Sequence, residues 1–240
     1  MKTPVIPERR NGFYYVNMEG KDYVLPSVTT ITSETMPKGN LIYWAAKTAA
    51  RAALHNPTLS EDEAAKSITQ AKTDGGDRGR IVHDFVEAMD NGATPNFDGL
   101  PEKIKPYVQA FISFKKDLEP KLVMNERKVM NLSLGYAGRL DRVYEIKGQN
   151  VLVDFKTSKD YYPEMGLQLT AYKNAEFSFE KVGGPYIPMI KIDSTAIVLL
   201  GEDGTYSFKK TDEPLDVFMA LRSIWVWMNS AKMLAISKKV

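Results

Sequence analysis

The chain contains no cysteine, and that one absence removes disulfides, thiolate zinc sites and cysteine-held iron-sulfur clusters. It fits a reducing compartment. No run approaches the roughly eighteen apolar residues of a membrane span, and Met1-Lys2-Thr3-Pro4 opens onto polar sequence instead of an apolar leader. The expectation is an intracellular, cytoplasmic protein with no membrane partner. An excess of either charge is also missing: 32 Lys and Arg stand against 30 Asp and Glu, a net charge of +2. The total neither demands nor excludes a polyanionic partner, so local clustering must decide. Histidine is scarce, with only His55 and His83.

What is present suffices for a full core, since 43% hydrophobic and 26% charged residues over 240 positions are ordinary globular values. No repeat, low-complexity linker or composition break divides the chain, which predicts a single domain over residues 1–240, mainly helical over 40–120 and with a sheet core over 121–210. Phe13 to Val16 and Tyr23 to Leu25 flank Glu19-Gly20 and read as a hairpin running into Pro26-Ser27-Val28-Thr29-Thr30. Leu41 to Leu54 reads as a helix ended by Asn56-Pro57. Ser60 and Glu63 form a capping box for the next helix, and Asp74-Gly75-Gly76-Asp77 reads as a break before a third helix over Arg78 to Met89. A fourth spans Glu102 to Leu118. Leu122 to Met130, Tyr136 to Ile146 and Val151 to Lys156 then read as three successive strands. A helix from Pro163, a hairpin of Thr195 to Leu200 with Tyr206 to Lys209, and a helix from Leu215 to Ile236 complete the chain. Trp44, Trp225 and Trp227 read as core residues.

The chemistry gathers in the strand segment. Asp154-Phe155-Lys156 ends an apolar run, and period-two alternation puts the acid and the base on one face. A four-residue loop over Lys147 to Asn150 would set Val143 opposite Asp154 and leave Asp141 diagonal to it, about 7–8 Å away, a span that one cation can close. The plain alternative for Asp-x-Lys is a strand-end salt bridge. His83 lies four residues after Gly79 on the predicted third helix; a neutral imidazole can ligate Mn²⁺, although an exposed histidine paired with Glu87 has the same pattern. Gln168 and Tyr172 share a helix face, where they could contact a phosphate or be a surface amide beside a packed phenol. Lys156, Lys159, Tyr161 and Tyr162 mix cations and rings as nucleic-acid surfaces do, with Arg78, Arg80 and Arg139 able to add charge; a solvated basic rim is the plain alternative.

In order, Gly79-x-x-x-His83, Gly138-x-x-Asp141, Asp154-x-Lys156 and Gln168-x-x-x-Tyr172 resemble the RecB-type branch of the PD-(D/E)XK nuclease superfamily. With Pro26-Ser27-Val28-Thr29-Thr30 and Trp44, the resemblance covers about residues 23 to 176 and is nearest to mitochondrial genome-maintenance-type and phage exonucleases without a metal cluster. It implies an α/β restriction-endonuclease-like core, with a mixed central sheet flanked by helices and a helical N-terminal part. The positions of His83, Asp141 and Asp154 would hold one or two Mg²⁺ or Mn²⁺ ions, with the Phe155 backbone carbonyl completing the shell. Lys156 would activate water, and Gln168 and Tyr172 would position the strand or the lysine. Glu126 matches an acid often present in this branch and is equally a strand-surface charge. Contacts to DNA are expected from Arg139, Thr157, Ser158, Lys159, Tyr161 and Ser27. The implied activity is a metal-dependent DNA exonuclease preferring single-stranded ends, serving repair, recombination or replication. The alternatives are a flap-type endonuclease and an inactive DNA-binding accessory protein. Leu140 stands where the family name places proline, and the missing cysteines set the chain apart from the four-cysteine relatives.

Overall fold

The computed structural model describes residues 8–37, 39–179, 185–231 and 233. In chain order these form β1 (Glu8–Arg10), β2 (Phe13–Met18), β3 (Lys21–Pro26), α1 (Val28–Thr35), α2 (Gly39–His55), α3 (Glu61–Asp90), α4 (Lys105–Leu118), β4 (Lys121–Asn125), β5 (Lys128–Asn131), β6 (Tyr136–Arg139), β7 (Arg142–Ile146), β8 (Gln149–Lys156), α5 (Pro163–Lys173), β9 (Phe177–Phe179), β10 (Tyr186–Pro188), β11 (Ser194–Leu200), β12 (Tyr206–Thr211) and α6 (Leu215–Met228). The fold is α/β, with a mixed five-stranded sheet flanked by helices.

Turn chemistry sets the registers. Asn11-Gly12, Glu19-Gly20 and Lys147-Gly148 each place two consecutive residues at positive φ, the backbone of a two-residue hairpin loop. At Lys147-Gly148 this corrects the expected four-residue loop: Ile146 pairs with Gln149, Val143 with Leu152 and Arg142 with Val153. One step further along the same register, Asp141 falls opposite Asp154 instead of diagonal to it.

Two other expectations are corrected. Residues 61–90 form one helix with no break at Gly75-Gly76. Its N-terminus carries the expected capping box, with Glu63 N donating to Ser60 Oγ and Ser60 N to Glu63 Oε2. Two interior glycines cost about 1 kcal/mol each, whereas ending and restarting the helix would strip several backbone groups of their partners. The three long strands are in fact five, divided between two sheets. β4, β7 and β8 belong to the five-stranded sheet, ordered β12-β11-β8-β7-β4, while β5 and β6 belong to a four-stranded sheet, ordered β10-β9-β5-β6. Between β4 and β7 the chain crosses from one sheet to the other and back, at Glu126-Arg127 and Leu140-Asp141. Glu126 turns the corner at φ 47°, and the crossings are tied together by Glu126 N donating to the Asp141 carbonyl and Leu140 N to the Arg127 carbonyl.

β8 and β11 run parallel, and the connection between them carries α5 across one face of the sheet. There α5 joins α1 and α6 over Leu152, Ile197, Leu167, Tyr172, Phe218 and Trp225. On the opposite face, Val82, Phe85 and Val86 of α3 and Val108, Phe111 and Phe114 of α4 cover Val151, Val153, Phe155 and Val198. The N-terminal three-stranded sheet packs Tyr14, Val16 and Leu25 on Met130, Ala137 and Phe179. Trp225 is in the core and donates through Nε1 to Glu34 Oε2. Trp44 and Trp227, expected there too, are 38% and 78% exposed, since α2 buries none of its residues and Trp227 leaves the sheet-facing side of α6. The expected continuation of α6 to Ile236 lies partly outside the described residues. Among the described residues no helix is long and apolar enough to cross a membrane.

Candidate active site

Alternation along β8 divides its C-terminal end into an apolar and a chemical face. Val153 and Phe155 point into the α3/α4 core, where the Phe155 ring meets Phe111 and Phe114 edge-on at 5.3 and 5.4 Å. Asp154 and Lys156 point the other way, into a cleft of about 520 Å³ also lined by Asp141, Arg139, Gln168, Tyr172 and Ser27. Gly138 serves Tyr172: a Cβ there would collide with the phenol ring. The two motif residues are thus one packing unit.

At the sheet crossing, His83, Glu126 and Asp141 each offer a ligand atom within 4.8 Å of the others. Each comes from a different segment: α3, the corner between β4 and β5, and the residue preceding β7. His83 Nε2 lies 2.9 Å from the Phe155 carbonyl. A carbonyl only accepts, so Nε2 carries the hydrogen and Nδ1 turns its lone pair toward Asp141 Oδ2, 3.7 Å away. The Phe155 carbonyl, expected as a ligand, therefore orients the imidazole. Asp154 stands beside this trio, with its Oδ2 2.6 Å from Lys156 Nζ.

The electrostatics separate the two aspartates. Burial, then the neighbouring Asp154, pushes the Asp141 carboxyl well above the usual carboxylate range. Burial also opposes ionisation of Asp154, but the Lys156 ammonium, a hydrogen bond from Asp141 and the nearby His83 together outweigh it and hold that group low. The Lys156 ammonium is kept charged by Asp154 and Asp141 against the cost of burial. Burial lowers the His83 imidazole, so it is neutral and able to ligate. Burial, with Tyr14, Asp141 and Asp154 nearby, pushes the Tyr172 phenol well up, which keeps it a hydrogen-bond donor. Asp141 Oδ2 is buried without a hydrogen-bond partner, an arrangement that costs free energy unless something positive meets it. Two carboxylates and an imidazole fit Mg²⁺ or Mn²⁺ by donor type.

The expected contact residues fall in three places. Ser27 and Arg139 line the cleft with the aspartates. Thr157, Ser158 and Lys159 line a second cleft, of about 430 Å³, with Arg78, Tyr107 and Tyr206, and Arg78 Nη2 donates to the Thr157 carbonyl. Tyr161 lines neither: its hydroxyl donates to Glu213 at 2.6 Å and Lys209 sits over its ring. Arg80 pairs with Asp77 in solvent. Sequence reasoning missed Arg9, Tyr14, Thr29 and Lys128, all lining the first cleft. The aromatic and basic character of the N-terminal strands signalled Arg9 and Tyr14, whereas nothing local marked Thr29 on α1 or Lys128 on β5. It also missed Asp90 and Arg142, whose one signal is a charged residue immediately after Asp141 at the start of an apolar strand.

The chain matches no protein-family model and no curated protein.

Proposed function

We propose that this protein is a metal-dependent deoxyribonuclease of the RecB-type branch of the PD-(D/E)XK superfamily, acting as an exonuclease on single-stranded DNA ends. The observation that carries this reading is the convergence of His83, Glu126, Asp141, Asp154 and Lys156 at the C-terminal end of β8, beside a cleft bearing Arg9, Lys128 and Arg139. His83, Glu126 and Asp141 would hold Mg²⁺ or Mn²⁺, with Asp154 adjacent. The bound cation supplies Lewis-acid stabilisation of the phosphoryl charge and makes water acidic enough to attack near neutral pH.

The chain's own groups do the rest. Lys156, held protonated, acts as a fixed positive charge beside the charge that develops on the phosphoryl oxygens. Asp154 fixes that ammonium in place. Asp141 gives up its proton as the cation binds. Arg9, Lys128 and Arg139 neutralise backbone phosphates, and Gln168 and Tyr172 donate from the wall formed by α5. The imidazole favours Mn²⁺ over Mg²⁺ in affinity by the Irving–Williams trend.

Purified protein incubated with Mn²⁺ or Mg²⁺ and labelled DNA tests the reading, with single strands, linear duplex and closed circles as substrates and Lys156→Ala as control. Shortening of free ends that depends on Lys156 is expected, with Ca²⁺ binding but not supporting turnover. Efficient cutting of circles would turn the assignment to a structure-specific endonuclease. Equal background from wild type and Lys156→Ala would end the catalytic claim and leave a DNA-binding accessory role.

A further inference from the structure

Arg142 is fully buried at the start of an apolar strand, where a guanidinium is expensive unless its N–H groups are met. Its Nε donates to Asp90 Oδ2 at 3.1 Å, and its Nη1 donates both to Glu126 Oε1 at 2.7 Å and to the Asp141 carbonyl at 2.8 Å. Asp90, whose side chain is also fully buried, accepts in addition from the Tyr144 hydroxyl at 2.5 Å and from Lys115 Nζ at 2.9 Å.

These partners are the three segments that supply the ligand trio. Asp90 ends α3, which carries His83 about two turns upstream. Glu126 is the left-handed corner, and Asp141 precedes β7. Asp90 is shared with Lys115, and Arg142 reaches a second acid through Nη1 while its Nη2 stays without a hydrogen-bond partner. The second acid reached by Arg142 is a member of the trio. Arg139 also approaches Glu126, with Nε 3.1 Å from Oε2, but its side chain is 62% exposed and cannot lock the carboxylate in the same way.

We infer that Arg142, anchored by Asp90, is the positioning residue of the cation site, setting the Glu126 carboxylate and the Asp141 segment against His83. The inference rests on the metal-centre reading above. It identifies Asp90 and Arg142 as determinants of cation affinity that touch neither cation nor DNA.

Mn²⁺ affinity, followed by the EPR signal of the free ion, tests it in a double-mutant cycle of Arg142→Lys and Glu126→Gln, with Tm recorded for each variant. Arg142→Lys keeps the charge and loses the fork; it is expected to weaken Mn²⁺ binding about 10–100-fold and to add little further loss in the Glu126→Gln background, while its Tm decrement persists in both. An equal loss of affinity in both backgrounds, or a fall in Tm with Mn²⁺ affinity unchanged, overturns the inference. If Arg142→Lys does not fold, Asp90→Asn replaces it in the same cycle, with the same outcomes expected. A coupled loss of Mn²⁺ affinity in a protein that cuts no DNA removes the nuclease reading and leaves this one standing. Failure of the wild type to bind Mn²⁺ overturns both.

Discussion

The two faces of β8 carry alternate residues of one strand and answer to different demands. Val151, Val153 and Phe155 face α3 and α4 and pack among apolar side chains, with the buried Arg142–Asp90 pair beside Val153. Asp154 and Lys156 face the cleft, where a buried carboxylate, a half-buried ammonium and the opposed ionisation of Asp141 coexist. The dry face stabilises the strand, and the wet face concentrates charge that a folded protein otherwise avoids. Stability and chemistry should therefore separate by residue parity.

The largest effect that tests this separation is on activity. Lys156→Ala should lower DNA cleavage by about 100- to 1000-fold, the scale of losing one preorganised electrostatic group, in a protein that still folds, with its denaturant midpoint lowered because buried Asp154 loses the ammonium that holds it ionised. Loss of fold along with activity would break the comparison. Phe155→Ala is the converse: truncation of a ring held by Phe111 and Phe114 should cost about 3–5 kcal/mol of stability, read from urea unfolding, with cleavage per folded molecule largely kept. Gly138→Ala lies between them, since its methyl group meets the Tyr172 ring. A loss of about 1–3 kcal/mol is expected from overpacking, and Tyr172→Ala in the same chain should restore part of it.

The smallest effect has the opposite sign. Because the folded protein holds the Asp141 proton more tightly than the unfolded chain does, this group makes stability fall as pH rises from the unfolded value near 4 through the higher folded value. Asp141→Asn removes that cost. In metal-free protein it should match wild type below about pH 4 and melt about 2–4 °C higher near neutrality, equivalent to about 1 kcal/mol. Mn²⁺ at about 100 times its Kd should add about 2.7 kcal/mol to wild type and less to the variant. A metal-free variant less stable than wild type at pH 7 would show that Asp141 is held by partners, not strained.

Much of the cleft was legible from spacing. Strand alternation put Asp154 with Lys156, and helical spacing put Gln168 with Tyr172, because these relations are local and a strand or helix has no freedom to change them. The Gly138–Tyr172 contact was half legible: the glycine signalled close approach, but the ring that approaches lies on an element far along the chain. Glu126 was ambiguous because its role depends on the chain leaving one sheet for the other, a crossing that a continuous run from Leu122 to Met130 conceals. Lys147-Gly148 misled in a similar way. Lys147 adopts a left-handed conformation that glycine usually takes, which shortened the loop and shifted the register. Trp44 was misread as core because apolar content marks where burial is favourable, and α2 has no layer above it.

By itself, then, the sequence determined the local relations: which residues share a strand face or a helix face, that Ser60 and Glu63 cap a helix, and that no thiolate site exists. Only the tertiary structure decided which of those faces meet. His83, Glu126 and Asp141 converge, and Arg142 binds their three segments, because the chain crosses twice between two sheets at one point. Convergence of that kind is set by long-range packing, whose energy is shared among many weak contacts, and no single residue announces it.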